Sequence, residues 1–191
     1  KAGYARMTWP KEFGGRGASP ILQVIYQQEE ADYLVPLGFF DIGLGMCIPT
    51  MMAYAKPEQL ARYVKPALHG QEVWCQLFSE PAAGSDVAGI RTRAERDGDD
   101  WILNGSKRWI GNATWADICV VWAKDTADSQ VKGFIVPTNT PGYVATKIER
   151  KQSLRIVQNA DITLTNVRVP EANRLQKANS FADTATVLRL T

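Results

Sequence analysis

Residues 74–86 read Trp-Cys-Gln-Leu-Phe-Ser-Glu-Pro-Ala-Ala-Gly-Ser-Asp. An apolar run ends at Glu80-Pro81, a loop of small residues follows, and Ser85-Asp86 closes it. Proline fixes φ and lacks an N–H, so a strand stops at Pro81. Ala82, Ala83 and Gly84 let another body approach the backbone, and Ser79 and Ser85 bring hydroxyls. This is the chemistry of a floor for a flat or phosphorylated ligand. The same composition also makes an ordinary turn in a β domain. A second stretch, Trp109-Ile110-Gly111, adds a planar aromatic beside a residue with no side chain.

Other chemistries are excluded by count. The chain has one histidine, His69, which precedes Gly70 and reads as a surface residue helping to cap a helix end. A Ser-His-Asp or Cys-His nucleophile would need that residue, so neither is supported. Cys47, Cys75 and Cys119 are odd in number, far apart and set among apolar residues, which predicts buried reduced thiols and no zinc or other metal site. Glu80, Asp86 and Glu149 are tempting carboxylates for acid–base work, and they read as solvated or structural. A net charge of +2, with both signs interspersed, gives no basic stripe for nucleic acid. No apolar run reaches the length of a membrane span.

These stretches need elements to carry them. Ser19-Pro20 predicts a helix start, running to about Leu34. The apolar segment Gly38–Ala55 predicts a buried helix pair, and Pro57-Glu58 opens a third helix that ends before Gly70. From Val73 the pattern becomes β-rich. Thr92–Asp97, Gly98-Asp99-Asp100 and Trp101–Asn104 predict a hairpin, and Asn104-Gly105 predicts a second turn before Lys107–Ile110. Ile118–Ala123, Gly133–Pro137, Tyr143–Ile148 and Ile162–Val169 bring the count to at least seven short strands, the mark of a sandwich or barrel. The expected fold class is α+β. An all-α domain spans 1–72, an antiparallel β-barrel or sandwich domain spans 73–176, and 177–191 begins a further helical segment capped at Asn179-Ser180. Gly15-x-Gly17 lacks a preceding strand and a third glycine, so it is no dinucleotide fingerprint. Lys1 and Thr191 read as ends cut from something longer.

Three helices are followed by Phe-Ser-Glu-Pro-Ala-Ala-Gly-Ser-Asp at 78–86, then Asp-Asp-Trp-Ile-Leu-Asn-Gly-Ser-Lys-Arg-Trp-Ile at 99–110, then Val-Arg-Val-Pro at 167–170. In order and spacing the whole chain resembles the acyl-CoA dehydrogenase family. The resemblance implies an N-terminal helical domain, a middle β domain and a C-terminal four-helix domain that these residues do not include. It implies FAD as cofactor, acyl-CoA as substrate, oxidation to the 2-enoyl-CoA, and a homo-oligomer (a homotetramer). It also implies electron-transfer flavoprotein or, in an oxidase of the same fold, oxygen as acceptor. The implied location is cytoplasmic in a bacterium, or else mitochondrial or peroxisomal. The cofactor-binding set it implies is Gln76, Leu77, Phe78, Ser79, Ser85, Trp109, Ile110 and Gly111, with Ser85 also facing substrate. Backbone and hydroxyl groups of Phe78 and Ser79 would meet the flavin edge, and Trp109 would lie against its ring. No catalytic residue is expected within 1–191, because the family's carboxylate base sits in the C-terminal domain. A non-catalytic binding module is the remaining alternative.

The departures are specific. Gly111 stands where the family commonly has Thr or Ser, and Ala82 replaces a common glycine. The second half resembles the glutaryl-CoA dehydrogenase branch and related short-chain acyl-CoA oxidases. Residues 9–15, Trp-Pro-Lys-Glu-Phe-Gly-Gly, look like a bacterial branch. No arginine lies between Arg16 and Arg62, which counts against a dicarboxylyl substrate, since Lys56 alone cannot make the bidentate grip of a guanidinium.

Overall fold

The computed structural model describes residues 3–35 and 38–190, so the reading of the ends at Lys1 and Thr191 lies outside the described residues. Helix α1 spans Pro20–Glu30, shorter than the sequence suggests. Proline at its first position has the φ a helix needs and no N–H to leave unpaired. No residue of α1 is buried, and Ile21, Leu22, Val24 and Ile25 are all about half exposed. The expected buried helix pair over 38–55 is one path with two windings. A π-turn at Gly43–Cys47 leads directly into α2, Ile48–Tyr54. A Cβ at Gly43 would stand 3.1 Å from the Trp74 Cβ, so glycine lets the π-turn rest on the sheet. Helix α3 spans Pro57–Leu68 and is entered through a Gln59 side chain that accepts the Lys56 N–H. The Gln59 amide donates onward to the carbonyls of Ala172 (2.8 Å) and Arg174 (3.0 Å), tying α3 to the end of the sheet.

Seven strands follow among the described residues: β1 (Trp74–Leu77), β2 (Arg93–Asp97), β3 (Asp100–Gly111), β4 (Ile118–Asp125), β5 (Val131–Pro137), β6 (Tyr143–Lys147) and β7 (Asn159–Pro170). They form one curled sheet in the order β1-β4-β2-β3-β7-β6, with β5 on the other side of β4. Most pairings are antiparallel, including the β2–β3 hairpin. Strand β4 also runs parallel to β1 and, at its end, to β2, so the sheet is mixed. Local pattern cannot show such long-range pairings.

Asn104-Gly105 is not a turn. Strand β3 runs unbroken through it from Asp100 to Gly111. Gly105 has φ +155°, and a Cβ there would come 2.6 Å from the Thr92 hydroxyl, so the glycine serves close strand approach. Two register shifts mark β3 against β7. Between Leu103 and Gly105 the extra residue lies on β7, where Asn166 has φ +51°. Between Lys107 and Ile110 it lies on β3, where Trp109 has φ +65°.

The sheet buries both faces. One face, with Trp74, Phe78, Val120, Trp122 and Ile135, packs against the helices through Ile48, Met51 and Val64. Inside the curl, Leu77, Trp101, Leu103, Ile110, Phe134 and Ile162 fill a second core. All three cysteines are buried and free of disulfides. Helix α4 (Phe181–Leu190) returns to the helical side, where the Tyr54 hydroxyl donates to the Asp183 carbonyl at 3.1 Å. Among the described residues no helix is long and apolar enough to cross a membrane.

Candidate functional site

The two predicted stretches meet. The Arg108 N–H donates to the Ser79 carbonyl at 2.8 Å, so the end of β1 lies beside the bulge that carries Trp109. Beyond Ser79 the chain turns at once: Glu80 and Ala83 exchange backbone hydrogen bonds of 2.9 and 3.2 Å, with Pro81 at the corner. Ser85 then emerges exposed, and Asp86 caps the short turn Val87–Gly89 by accepting the Gly89 N–H.

The eight residues divide by what each can offer. Leu77 and Ile110 point into the core within the curl, so only their backbones are free for another task. Phe78 is buried too: its ring stacks on Trp122 with centroids 5.0 Å apart and planes 7° apart. Gln76 shares a face of β1 with Trp74, by the two-residue period of a strand, and Phe78 just past the strand end continues that face. It is 7% exposed, and neither its amide oxygen nor its amide nitrogen has a hydrogen-bond partner. Leaving such a group unmet costs about 1–3 kcal/mol. Trp109 is 53% exposed, with the Arg108 guanidinium over its ring at 5.2 Å from the centroid. It borders an open cavity of about 600 Å³ whose lining includes Arg150, Lys151, Leu154 and Asn159. Asn159 fixes the bulge by donating to the Trp109 carbonyl at 3.0 Å, and Lys151 donates to Asn159 at 2.5 Å. At Gly111 an added Cβ would stand 2.8 Å from the Ile42 Cδ1, so a neighbour's methyl lies where a side chain at 111 would begin.

The carboxylates have structural occupations. Asp86 is the cap already described, and Glu149 is exposed beside Lys147 at 3.3 Å. Glu80 is buried. Its two oxygens accept the N–H groups of Arg91 (2.6 Å) and Thr92 (3.0 Å), and one also accepts Lys107 Nζ (2.9 Å). Burial pushes the Glu80 carboxyl up, but the Lys107 charge and these hydrogen bonds outweigh it and hold the group below its ordinary value. Burial pushes the Lys107 ammonium down to about 8, with Glu80 opposing the shift.

Lys107 itself is the residue that sequence reading passed over, as one letter of a motif. It is fully buried and also donates to the carbonyls of Phe78 (3.1 Å) and Trp122 (2.7 Å). The available signal was parity: Lys107 falls in step with Trp101 and Leu103, the inward residues of the same strand.

Two family models match the chain, "Acyl-CoA dehydrogenase, N-terminal domain" over residues 1–71 and "Acyl-CoA dehydrogenase, middle domain" over 75–167. Among curated relatives, acyl-CoA dehydrogenase FadE26 of Mycobacterium tuberculosis is 34% identical over 188 residues, covering 93% of this chain and 45% of the relative. Cyclohexane-1-carbonyl-CoA dehydrogenase of Syntrophus aciditrophicus is 36% identical over 184 residues, covering 93% and 47%. The solved structure of a glutaryl-CoA dehydrogenase from Mycobacterium smegmatis in complex with FADH2 superposes with a TM-score of 0.86 at 34% identity, over 98% of this chain and 48% of that one. The chain spans less than half the length of these relatives.

Proposed function

From the premise that this chain belongs to the acyl-CoA dehydrogenase family, we propose that it forms the helical and β portion of an FAD-dependent enzyme that oxidises an acyl-CoA thioester to the 2-enoyl-CoA. When bound, FAD supplies the hydride acceptor for that chemistry. The observation that carries the reading is the Trp109 bulge held against the Phe78–Ser85 turn by the Arg108–Ser79 hydrogen bond. A strained backbone that aims an aromatic ring outward beside a small-residue loop suits a planar ring.

The residues fit FAD in three ways. The buried Gln76 amide lacks a partner and suits a hydrogen-bonding heterocycle. Trp109 offers an exposed flat face, and Ser79 and Ser85 offer hydroxyls. In this reading Gln76, Leu77, Phe78, Ser79, Ser85, Trp109, Ile110 and Gly111 hold the cofactor, and Ser85 also faces the thioester. The buried side chains of Leu77, Phe78 and Ile110 restrict those three to backbone contacts or to shaping the floor. We assign no catalytic base within residues 1–191. Glu80 and Asp86 are committed to the roles above, Glu149 is a solvated neighbour of Lys147, and on this reading the base lies outside residues 1–191. Residues 1–72, 73–176 and 177–191 are the proposed helical domain, β domain and start of a further helical domain. Partners on this reading are acyl-CoA, further copies of the chain, and electron-transfer flavoprotein or oxygen as acceptor.

The test is spectroscopic. Purified protein should take up FAD and show a protein-bound flavin spectrum that bleaches when acyl-CoA is added without oxygen to the full-length gene product. Reoxidation by air against reoxidation by a flavoprotein acceptor separates oxidase from dehydrogenase. A protein that stays colourless in excess FAD sinks the reading and leaves a non-catalytic module.

A further inference from the structure

Lys107 donates to three acceptors on two segments: the Phe78 carbonyl and the Glu80 carboxylate just after β1, and the Trp122 carbonyl on β4. Glu80 in turn gathers the Arg91 and Thr92 N–H groups just before β2. Both charged groups are sealed, with 0% and 4% side-chain exposure. Removing two ions from water is expensive, and a well-packed apolar pair often serves stability as well or better. Stability alone therefore does not account for this arrangement; what it supplies is geometry. In a trans peptide the C=O and the following N–H point in opposite directions, and no cis bond is present among the described residues. Holding the Phe78 carbonyl inward on Lys107 turns the Ser79 N–H away from the core. The Ser79 carbonyl is fixed separately by Arg108. Ser79 is thus set on both sides by consecutive residues of β3, and the next residue on that strand is Trp109.

We infer that Lys107 is a positioning residue whose bond to the Phe78 carbonyl aims the Ser79 N–H at the cofactor and holds it in register with Trp109. The inference rests on the flavin reading above and adds to it a residue that touches neither cofactor nor substrate.

The experiment compares full-length wild type with Lys107→Met/Glu80→Gln, which removes both charges and leaves no buried ion unpaired, and with Glu80→Gln alone, which keeps the Lys107–Phe78 bond. Thermal unfolding reports the fold, and quenching of free FAD fluorescence and the bound-flavin absorption bands report the site. Expected are a double variant that unfolds within a few degrees of wild type, binds FAD at least tenfold more weakly and shifts the flavin bands, and a single variant within about threefold of wild-type affinity. A folded double variant with wild-type affinity and spectrum overturns the inference, as does an equal loss in both variants. Should the double variant fail to fold, Glu80→Gln is compared with Lys107→Met at matched fold content. Tenfold weaker FAD binding in Lys107→Met alone then supports the inference, and equal affinity in the two variants overturns it. Failure of the flavin reading itself would show in the wild type, as no FAD uptake at all, and would take the inference with it.

Discussion

Lys107 and Trp109 are separated by one residue on β3, yet the lysine is fully buried and the tryptophan is 53% exposed. In a regular strand they would share a face. The register shift between Lys107 and Ile110, with φ +65° at Trp109, turns the indole outward and still returns Ile110 to the core. A non-glycine residue in that backbone region costs about 1–3 kcal/mol, and such strain gathers at functional sites. Trp109→Gly removes both the strain and an exposed ring. Unfolding free energy is expected to stay within about 1 kcal/mol of wild type, while FAD affinity falls tenfold or more. A large loss of stability with unchanged FAD binding would make Trp109 a packing residue.

Gln76 gives the opposite sign. Its amide is buried with both polar atoms unmatched, so the ligand-free fold bears the cost. Gln76→Leu should stabilise the ligand-free protein by about 1 kcal/mol in urea unfolding and weaken FAD binding. A variant that is less stable without FAD would show that the amide already serves the fold.

What the residues disclosed on their own follows local physics. The β2–β3 hairpin was legible because Gly98-Asp99-Asp100 has turn chemistry between β-rich runs, and Gly98 does adopt φ +62°. The same reasoning misread Asn104-Gly105, where the glycine answers to Thr92 across the sheet rather than to its own neighbours. The apolar residues of α1 were visible, but not that Ile21, Leu22, Val24 and Ile25 would stay half exposed, since burial depends on a partner surface. At the site, the meeting of the two stretches followed from the family resemblance, and the local pattern alone could not supply it. The Lys107–Glu80 pair joins positions 27 apart through a fold that composition does not encode, and a lysine in a strand ordinarily reads as solvated.

That pair should also leave a mark on the pH dependence of stability. Lys107 is depressed to about 8 in the folded protein against 10.5 ordinarily. Between those values the unfolded chain binds more protons than the folded one, so stability rises with pH across that window. Glu80 is held low, so its contribution is present above 4.5 and is lost as pH falls through its folded value. The unfolding free energy of wild type relative to Lys107→Met/Glu80→Gln, read from urea curves, should therefore climb between about pH 8 and 10.5, by on the order of 1–3 kcal/mol, and decline on acidification below 4.5. A flat difference across both windows would mean that the two groups titrate as they do in water.

Gly111 and Ile42 form the last test, because the room a side chain at 111 needs is held by a neighbour's methyl. A Cβ at Gly111 would meet the Ile42 Cδ1 at 2.8 Å, while Val157 Cγ1 and Asn159 Nδ2 lie farther off at 3.7 and 3.9 Å. The only tight contact is thus with the end of a flexible side chain, which can shift or be shortened. Gly111→Ser is expected to cost about 1 kcal/mol through overpacking. Ile42→Val removes the clashing methyl, so in the double variant most of that cost should vanish, giving a coupling energy of at least about 0.5 kcal/mol in a double-mutant cycle. On the flavin reading the introduced hydroxyl also adds a donor beside the cofactor, and the flavin reduction potential of Gly111→Ser/Ile42→Val should move away from that of Ile42→Val. Additive stabilities would show that Ile42 does not occupy the room a side chain at 111 needs, and an unmoved potential would separate position 111 from the flavin.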